Sequence, residues 1–349
     1  MSRRALACLI AVAHVLCAVA VPRAAPAPTR LERFRELALS QLDTAQAFEA
    51  DPSGESYREI YALLDDEVVE SLGSGGVFAS PEFLRERLDG FAEAWGGASL
   101  TLHRIGALTV GAFHLADGPG GASVRVYGRL GADAALLSTF SRPGRPSLYP
   151  LSPGPGGRVQ FFVTWEGALT GRGTRALRVD LFRETGDGVA PAWSTADVFP
   201  DGLVGHSLVI RGDEVRVRYE LHYEGWTPGC DGQTEGEDVY RLQPTGAVAR
   251  ASRQQINAWH LALRASVGRL LAALEAGDRS SLATLVPDRA LRERLPAPLA
   301  AEPACDAADG PNPAAVSIAA TAGARQPWTL TFRRAGASWR LVAAQPVIE

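Results

Sequence analysis

The segment VRVRYELHY, residues 215–223, alternates apolar and polar side chains without a break. Successive side chains of a β-strand point to opposite faces, so Val215, Val217 and Tyr219 are expected to face a core. The arginines and Glu220 then face water, where such a row of charges most simply pairs with opposite charges on a neighbouring strand. The segment therefore predicts an antiparallel sheet with one solvated face.

Short segments with the same period of two fill the chain from residue 99 to about residue 242. Clusters of glycine, proline and aspartate separate them at 117–121, 153–157 and 186–188. Many short strands with such turn signals favour an antiparallel sandwich or a propeller-like array. Because no strict repeat is visible and the stretch is short for a closed propeller, we expect a sandwich-like β domain over 98–245.

The hydrophobic period changes to 3.6 on both sides of this region. Residues 31–97 are predicted to form a helical segment, in which Ser80 and Pro81 begin a helix that ends at Gly96. The helical period returns at about residue 254 and stops at Gly277. The predicted fold class is α+β, with N-terminal helices, a central antiparallel β domain and a C-terminal α+β part.

Two aspartates and a hairpin pattern mark the rest of the C-terminal part. Asp278 and Asp288 are in the positions of helix N-caps. Residues 328–334 and 339–342 have the pattern of two strands, joined by a turn at Ala335-Gly336.

The segment LLAALEAGD (270–278) and the closing segments WTLTF (328–332) and WRL (339–341) carry a resemblance to a known family. This part of the chain, about 256–349, resembles NTF2-like (SnoaL-like) domains, and we expect a domain of that type over 250–349. The resemblance implies a curved sheet wrapped by helices around a cone-shaped pocket. Its members range from isomerases to non-catalytic modules, so it implies fold more than function.

The N-terminus has the pattern of a secretory signal peptide over residues 1–20. Ser2-Arg3-Arg4 is followed by an apolar run and by Ala18-Val19-Ala20, which predicts cleavage between Ala20 and Val21. Residues 21–30 would then be a flexible leader. The alternatives are a membrane anchor, for which the run is short against ~30 Å of hydrocarbon, lipidation at Cys17, and export by the twin-arginine route. We expect an exported protein, periplasmic or extracellular, without a membrane span after cleavage.

Cysteine usage agrees with export. Cleavage removes two of the four cysteines and leaves Cys230 and Cys305. Two cysteines in an oxidising compartment most often pair. We therefore expect a disulfide between them, the alternative being two free thiols.

Composition excludes several chemistries. All 35 basic residues are arginine, so a lysine Schiff base, a P-loop lysine and a Ser-x-x-Lys hydrolase site are absent. The formal net charge is −4 and no basic run stands out, so nucleic acid is not an expected partner.

The glycines of 171–176 mimic a dinucleotide fingerprint, but a strand follows where a helix is required. We expect a hairpin turn there and no cofactor.

The most distinctive loop, residues 223–238, has acidic groups at Asp231, Glu235 and Glu237. Several oxygen ligands in one loop are what calcium requires, although the spacing lacks the glycine and final glutamate of an EF-hand. A solvated loop anchored by a disulfide, with Trp226 packed beneath it, is the simpler interpretation, and no metal is expected. The histidines form none of the short zinc-binding motifs, and we expect a surface or capping role for His260.

The sequence leaves the function open among three hypotheses. The favoured one is a non-catalytic protein that binds a small ligand or a protein partner; Trp165, Trp193 and Trp226 are candidates for stacking on a ligand. The second is a hydrolase with dispersed carboxylate and histidine residues, whose catalytic positions the sequence does not identify. The third is a structural or assembly subunit.

Overall fold

The computed structural model describes residues 28–43, 57–308, 310–323 and 325–347. The expected signal peptide, its cleavage point at Ala20–Val21 and the leader up to residue 27 lie outside these ranges. Within them, no helix is long and apolar enough to cross a membrane.

Among the described residues, three α-helices precede the sheets: α1 (Arg30–Asp43), α2 (Arg58–Ser74) and α3 (Pro81–Trp95). The predicted cap of α3 is confirmed, since Ser80 Oγ accepts a hydrogen bond from the Phe83 amide at 3.2 Å. Gly96 ends the helix at a φ of 91°, which glycine adopts without a steric penalty. The buried faces of these helices pack on the first sheet, where Phe34, Leu64 and Phe91 share a core with Phe113 and Tyr127.

Twelve antiparallel strands follow. In chain order they are β1 (Ser99–Ile105), β2 (Leu108–His114), β3 (Ala122–Leu130), β4 (Asp133–Ser141), β5 (Arg145–Pro150), β6 (Gln160–Glu166), β7 (Arg175–Glu184), β8 (Val189–Ser194), β9 (Leu203–Arg211), β10 (Glu214–Glu220), β11 (Glu235–Leu242) and β12 (Val248–Ile256). They form three four-stranded meanders: β1–β4, β5–β8 and β9–β12. A three-residue pairing of β7 with β9 joins the second and third meanders into one sheet.

The three meanders share one irregularity. In each, the pairing of the third strand with the fourth shifts register between an aliphatic and an aromatic residue, at Val126/Tyr127, Leu181/Phe182 and Val239/Tyr240. The residue before the aliphatic one is charged and buried in all three: Arg125, Asp180 and Asp238. A shared bulge with a shared charged–aliphatic–aromatic triplet makes the meanders structural repeats of one another.

The meanders stack face to face in a row. The first core between them joins Val110 and Val124 to Phe161 and Phe182. The second meander buries its other face against the third, through side chains such as Leu181 and Tyr240. Each meander has the strand order of a propeller blade. Three such layers are one more than the two sheets of a simple sandwich.

Both ends of the row are closed to further sheets. The helices α1 to α3 cover the outer face of the first meander. The outer face of the third carries charges that pair across strands, with Arg216 3.4 Å from Glu237 and Arg241 2.9 Å from Glu214. Burying such a face under another sheet would desolvate those charges, so it ends the array as a polar cap.

The C-terminal part contains the helices α4 (Ala258–Ala276), α5 (Arg279–Leu285) and α6 (Arg289–Arg294) and the strands β13 (Leu299–Ala301), β14 (Ala307–Ala308), β15 (Ala315–Ala322), β16 (Gln326–Ala335) and β17 (Ser338–Pro346). Asp278 and Asp288 each accept hydrogen bonds from two amides of the following helix, as their capping positions predict. The sheet order is β13-β15-β16-β17. The α+β fold class is confirmed.

The three consecutive acids of α2, residues 65–67, would suit a solvent-exposed helix face, but only Asp66 is exposed. Asp65 instead pairs with Arg125 and accepts from the Tyr127 hydroxyl at 2.8 Å. Glu67 is buried and accepts from Arg87 Nε at 2.6 Å. These contacts fasten α2 to its neighbours, because a buried carboxylate requires a charged or hydrogen-bonding partner.

Candidate functional site

The loop between β10 and β11, residues 221–234, connects the third meander to the C-terminal part. Cys230 in this loop is bonded to Cys305, with their Cα atoms 5.2 Å apart, so the predicted pairing is confirmed. The loop is also pinned from inside by Gln233, which is 6% exposed. Its side-chain oxygen accepts from the Thr227 amide and its nitrogen donates to the Thr227 carbonyl, both at 2.7 Å.

Beneath the loop, a buried polar cluster joins it to α4. Tyr223 Oη lies 2.6 Å from His260 Nδ1, and His260 Nε2 lies 2.9 Å from Asp306 Oδ2. Arg264 holds the same carboxylate with two hydrogen bonds, of 2.6 and 3.0 Å. His260 is 4% exposed, so the expected surface or capping role is wrong.

The partners of His260 fix a consistent hydrogen-bond direction. The Tyr223 hydroxyl accepts from the Thr234 amide at 3.0 Å and has its own proton left to donate. Burial raises the pKa of Tyr223, which keeps that proton in place. With the Tyr223 hydroxyl as donor, His260 Nδ1 accepts and His260 Nε2 donates to Asp306. Every polar atom of this chain of contacts is satisfied, so the cluster holds the loop rigidly on the helix.

An open cleft of about 340 Å³, here termed the loop cleft, lies beside the pinned loop. Five segments contribute side chains to it: Arg172 from the β6–β7 hairpin, His206 from β9, Glu220 from β10, Trp226 from the loop itself and Glu235 from β11. The Trp226 ring packs against His222, with centroids 4.1 Å apart and ring planes tilted by 37°. The hairpin at 171–176 is followed by strand β7, so the sequence interpretation of these glycines is confirmed.

Two carboxylates face each other across the strands at this cleft. Glu220 and Glu235 are direct partners on β10 and β11, and both line the cleft. Each is engaged by basic side chains: Glu220 lies 3.3 Å from His222, and Glu235 contacts Arg218 and lies 3.5 Å from His206.

The three acidic residues considered above as metal ligands, Asp231, Glu235 and Glu237, have different environments. Asp231 lies on the exposed loop and lines the cleft. Glu235 is held by Arg218, and Glu237 accepts from Arg216 and from Gln254 at 2.6 Å. Within the described ranges, no three His, Cys, Asp or Glu side chains are arranged to hold a metal ion.

The three tryptophans singled out by the sequence occupy different environments. Trp165 is 1% exposed and donates to the buried Asp180. Trp193 packs on Tyr240 in the core between the second and third meanders, at 5.3 Å. Trp226 alone of these three lines the loop cleft.

Most of this site has no local signal in the sequence. Arg172 comes from the second meander, and His206 and Glu220 come from two strands of the third. Only the pairing of β7 with β9 brings them together. The alternation of 215–223 does place Glu220 on the wet face, which is the one contribution of the pattern to the site.

Comparison with known proteins adds no assignment. No protein-family model matches the chain, and no curated protein matches it. Among solved structures, a putative 6-phosphogluconolactonase from Bacteroides fragilis is 11% identical with a TM-score of 0.18, over 71% of this chain and 72% of that chain. A mutant of AofleA from Arthrobotrys oligospora is also 11% identical, with a TM-score of 0.14, over 72% of this chain and 88% of that chain. Likenesses this weak carry no argument about fold or function.

Proposed function

We propose that this is an exported, non-catalytic binding protein whose loop cleft holds a small carbohydrate. The observation that carries the proposal is Trp226, an aromatic ring at the wall of a cleft whose other side chains are charged or hydrogen-bonding. A sugar presents an apolar face for stacking and hydroxyls for both donors and acceptors. Arg172 supplies donors there, and Glu220 and Asp231 supply acceptors.

The rigidity of the loop supports binding. Trp226 stands between the Tyr223 anchor and the Cys230–Cys305 bond, and its amide donates to the Tyr223 carbonyl at 2.9 Å. A cleft wall fixed before the ligand arrives loses little conformational entropy on binding. The disulfide and the pattern at residues 1–20 support export to an oxidising compartment.

The test is ligand-observed NMR on the purified protein with a panel of neutral and acidic mono- and disaccharides. We expect saturation transfer to at least one of them, lost in Trp226→Ala and retained in part in Trp226→Phe, which keeps an aromatic face. Trp328→Ala, in the C-terminal sheet, is the matched control. Transfer that survives Trp226→Ala, or no transfer from any sugar, contradicts the proposal.

A hydrolase acting on the same class of ligand is the second candidate. This candidate is favoured because Glu220 and Glu235 are direct partners on adjacent strands, and glycoside hydrolases use a pair of carboxyl groups for catalysis. The basic partners of both carboxylates weigh against it, because a free acid and a free base are required. Incubation of the bound sugar with wild type and with Glu220→Gln and Glu235→Gln separates the two: bond cleavage that both variants abolish establishes the hydrolase.

We propose in addition that the C-terminal part is an NTF2-like domain with a structural role. Its helix-and-hairpin pattern supports this, and the space between α4 and the sheet is filled by side chains that include Trp259, Leu263, Phe332 and Trp339. A filled interior suits a module that supports the loop through Cys305 and Asp306. An assembly role for the whole protein would be revealed by a stable oligomer in sedimentation equilibrium.

A further inference from the structure

A second cleft, of about 550 Å³, lies in the C-terminal part between α4, α5 and the start of β17. We term it the alanine cleft, because Ala272, Ala273 and Ala276 line it along α4. Leu285 and the buried Trp339 add further apolar surface. Its volume is within the ~300–1,000 Å³ of small-molecule sites.

Two arginines with no carboxylate partner among the described residues line this cleft. Arg269 and Arg340 are both exposed and both line it. Within the described part of the chain neither forms an ion pair; Arg269 makes one hydrogen bond, to Ser266 Oγ at 3.1 Å. Arg264, on the same helix as Arg269, is in contrast paired with a carboxylate, that of Asp306.

A third arginine increases the positive potential. Arg333 on β16 is the direct partner of Arg340 on β17 and is also exposed. Like charges directly opposite each other on a sheet are destabilising. An anion bound at Arg340 would relieve that repulsion.

The acidic residue on the cleft wall is already engaged. Asp278 accepts from the Ser280 amide at 3.0 Å, the Ser280 hydroxyl at 2.7 Å and the Ser281 amide at 3.2 Å, which cap α5. These hydrogen bonds hold the pKa of Asp278 at about 2. The carboxylate is thus committed to the helix, and no contact joins it to Arg269 or Arg340 among the described residues.

We propose that the alanine cleft binds a single-chain anionic amphiphile, with its alkyl chain along the alanines and its carboxylate on Arg269 and Arg340. Apolar walls supply affinity in proportion to the apolar area removed from water. Guanidinium groups hold a carboxylate through charge-assisted hydrogen bonds. The site is separate from the loop cleft, and the proposal goes beyond the carbohydrate-binding function.

Calorimetric titration of the full chain with sodium decanoate tests this site. Acetate supplies the anion without the chain, and decyltrimethylammonium supplies the chain with the opposite charge. We expect binding of decanoate only. The double variant Arg269→Gln/Arg340→Gln should weaken it about tenfold or more, and Ala276→Phe, which fills the cleft, should abolish it.

The controls keep the outcome decisive. Arg294→Gln removes an arginine of α6 that is not on the cleft and should bind decanoate as wild type does, as should Trp226→Ala. Equal binding of decyltrimethylammonium would show an apolar patch without anion selectivity and overturn the proposal. So would decanoate binding that both cleft variants leave unchanged, or its absence in the wild type.

Discussion

Asp238 occupies the same position in the third meander as Asp180 does in the second. Each is fully buried on the third strand, one residue before the aliphatic residue of the bulge. Each also accepts from the aromatic side chain that lies diagonally across on the second strand, Trp165 Nε1 at 3.1 Å for Asp180 and Tyr219 Oη at 3.4 Å for Asp238. The second and third meanders therefore repeat a buried hydrogen bond between an aspartate and an aromatic side chain, as well as the order of their strands.

The first prediction is that Asp180→Asn and Asp238→Asn destabilise the protein to a similar extent. Asp238 accepts from Arg253 Nε and Nη2, both at 2.7 Å. Burial raises its pKa, but the hydrogen bonds from Arg253 and Tyr240 and the charges of Arg253 and Arg250 together lower it. The Asp238 carboxylate is fully buried, so loss of its charge weakens hydrogen bonds that are shielded from water, at a cost of about 1–3 kcal/mol. Urea unfolding monitored by circular dichroism measures it.

Glu237→Gln is the matched control for both variants. It removes a neighbouring carboxylate that is 14% exposed, against 0% for Asp238, while the arginine partners of the two are about equally exposed; pairs with access to solvent contribute about 0–1 kcal/mol. If Asp238→Asn is as mild as Glu237→Gln, the buried pair does not stabilise the repeat as described.

Much of this architecture could be predicted from the sequence, where local patterns are strong. The alternation of 215–223 predicted the core and wet faces of β10, and the caps at Ser80, Asp278 and Asp288 were correct. In contrast, β12 was missed, because its side chains are almost all exposed on both faces and give no period of two. β5 and β8 are also hard to recognise from the sequence, since each is short and contains proline.

The repeat itself was invisible for a physical reason. Its charged position is Arg125 in one meander and aspartate in the other two, and the counter-charge comes from a different place each time: Asp65 of α2, Arg178 of β7 or Arg253 of β12. The fold conserves a satisfied buried charge, and one sequence does not show which residues satisfy it. The same limit applies to the loop cleft, whose side chains are distant in sequence.

The second prediction concerns pH and the cap of α5. The capping hydrogen bonds lower the pKa of Asp278 from 3.8 to about 2 in the folded protein. A lowered folded-state pKa means that the ionised cap stabilises the fold above the unfolded-state value, and that this contribution disappears as pH falls from 3.8 through about 2. Asp278→Ala should therefore lower the melting temperature at pH 6, with a smaller difference at pH 2.5.

Asp278→Ser provides the comparison for that experiment. Serine caps a helix without a charge, so it should restore most of the melting temperature at pH 6. The difference between aspartate and serine should then shrink on acidification. A difference that is constant from pH 6 to pH 2.5 would show that the charge of Asp278 does not matter.

The third prediction concerns the disulfide. The bond closes a loop of 75 residues, for which the chain-entropy relation gives about 4 kcal/mol of stabilisation. In urea unfolding, the double variant Cys230→Ser/Cys305→Ser should have a free energy of unfolding lower than that of the oxidised wild type by about this amount. The wild type in reductant should have the same free energy of unfolding as the double variant. Equal stability of the oxidised wild type and the double variant would contradict this role.

The fourth prediction concerns the cluster beneath the loop. Tyr223→Phe removes the donor to His260 Nδ1 and the acceptor for the Thr234 amide, and leaves both unsatisfied at a cost of about 1–3 kcal/mol. Tyr149→Phe, at a half-buried position in β5, is the matched control and should change stability little. Amide hydrogen exchange at residues 224–234 should accelerate in Tyr223→Phe only; unchanged exchange would show that the cluster does not hold the loop.

The central claim, that Trp226 is the stacking wall of a carbohydrate site, is tested most directly by the indole N–H signals of the ¹⁵N-labelled protein. The chain has seven tryptophans, and Trp226→Phe identifies the signal of Trp226 by its disappearance. On titration with the sugar that shows saturation transfer, we predict that this signal shifts and that the signal of Trp339, in the alanine cleft, does not. A titration in which the sugar binds while the Trp226 signal stays in place would contradict the account.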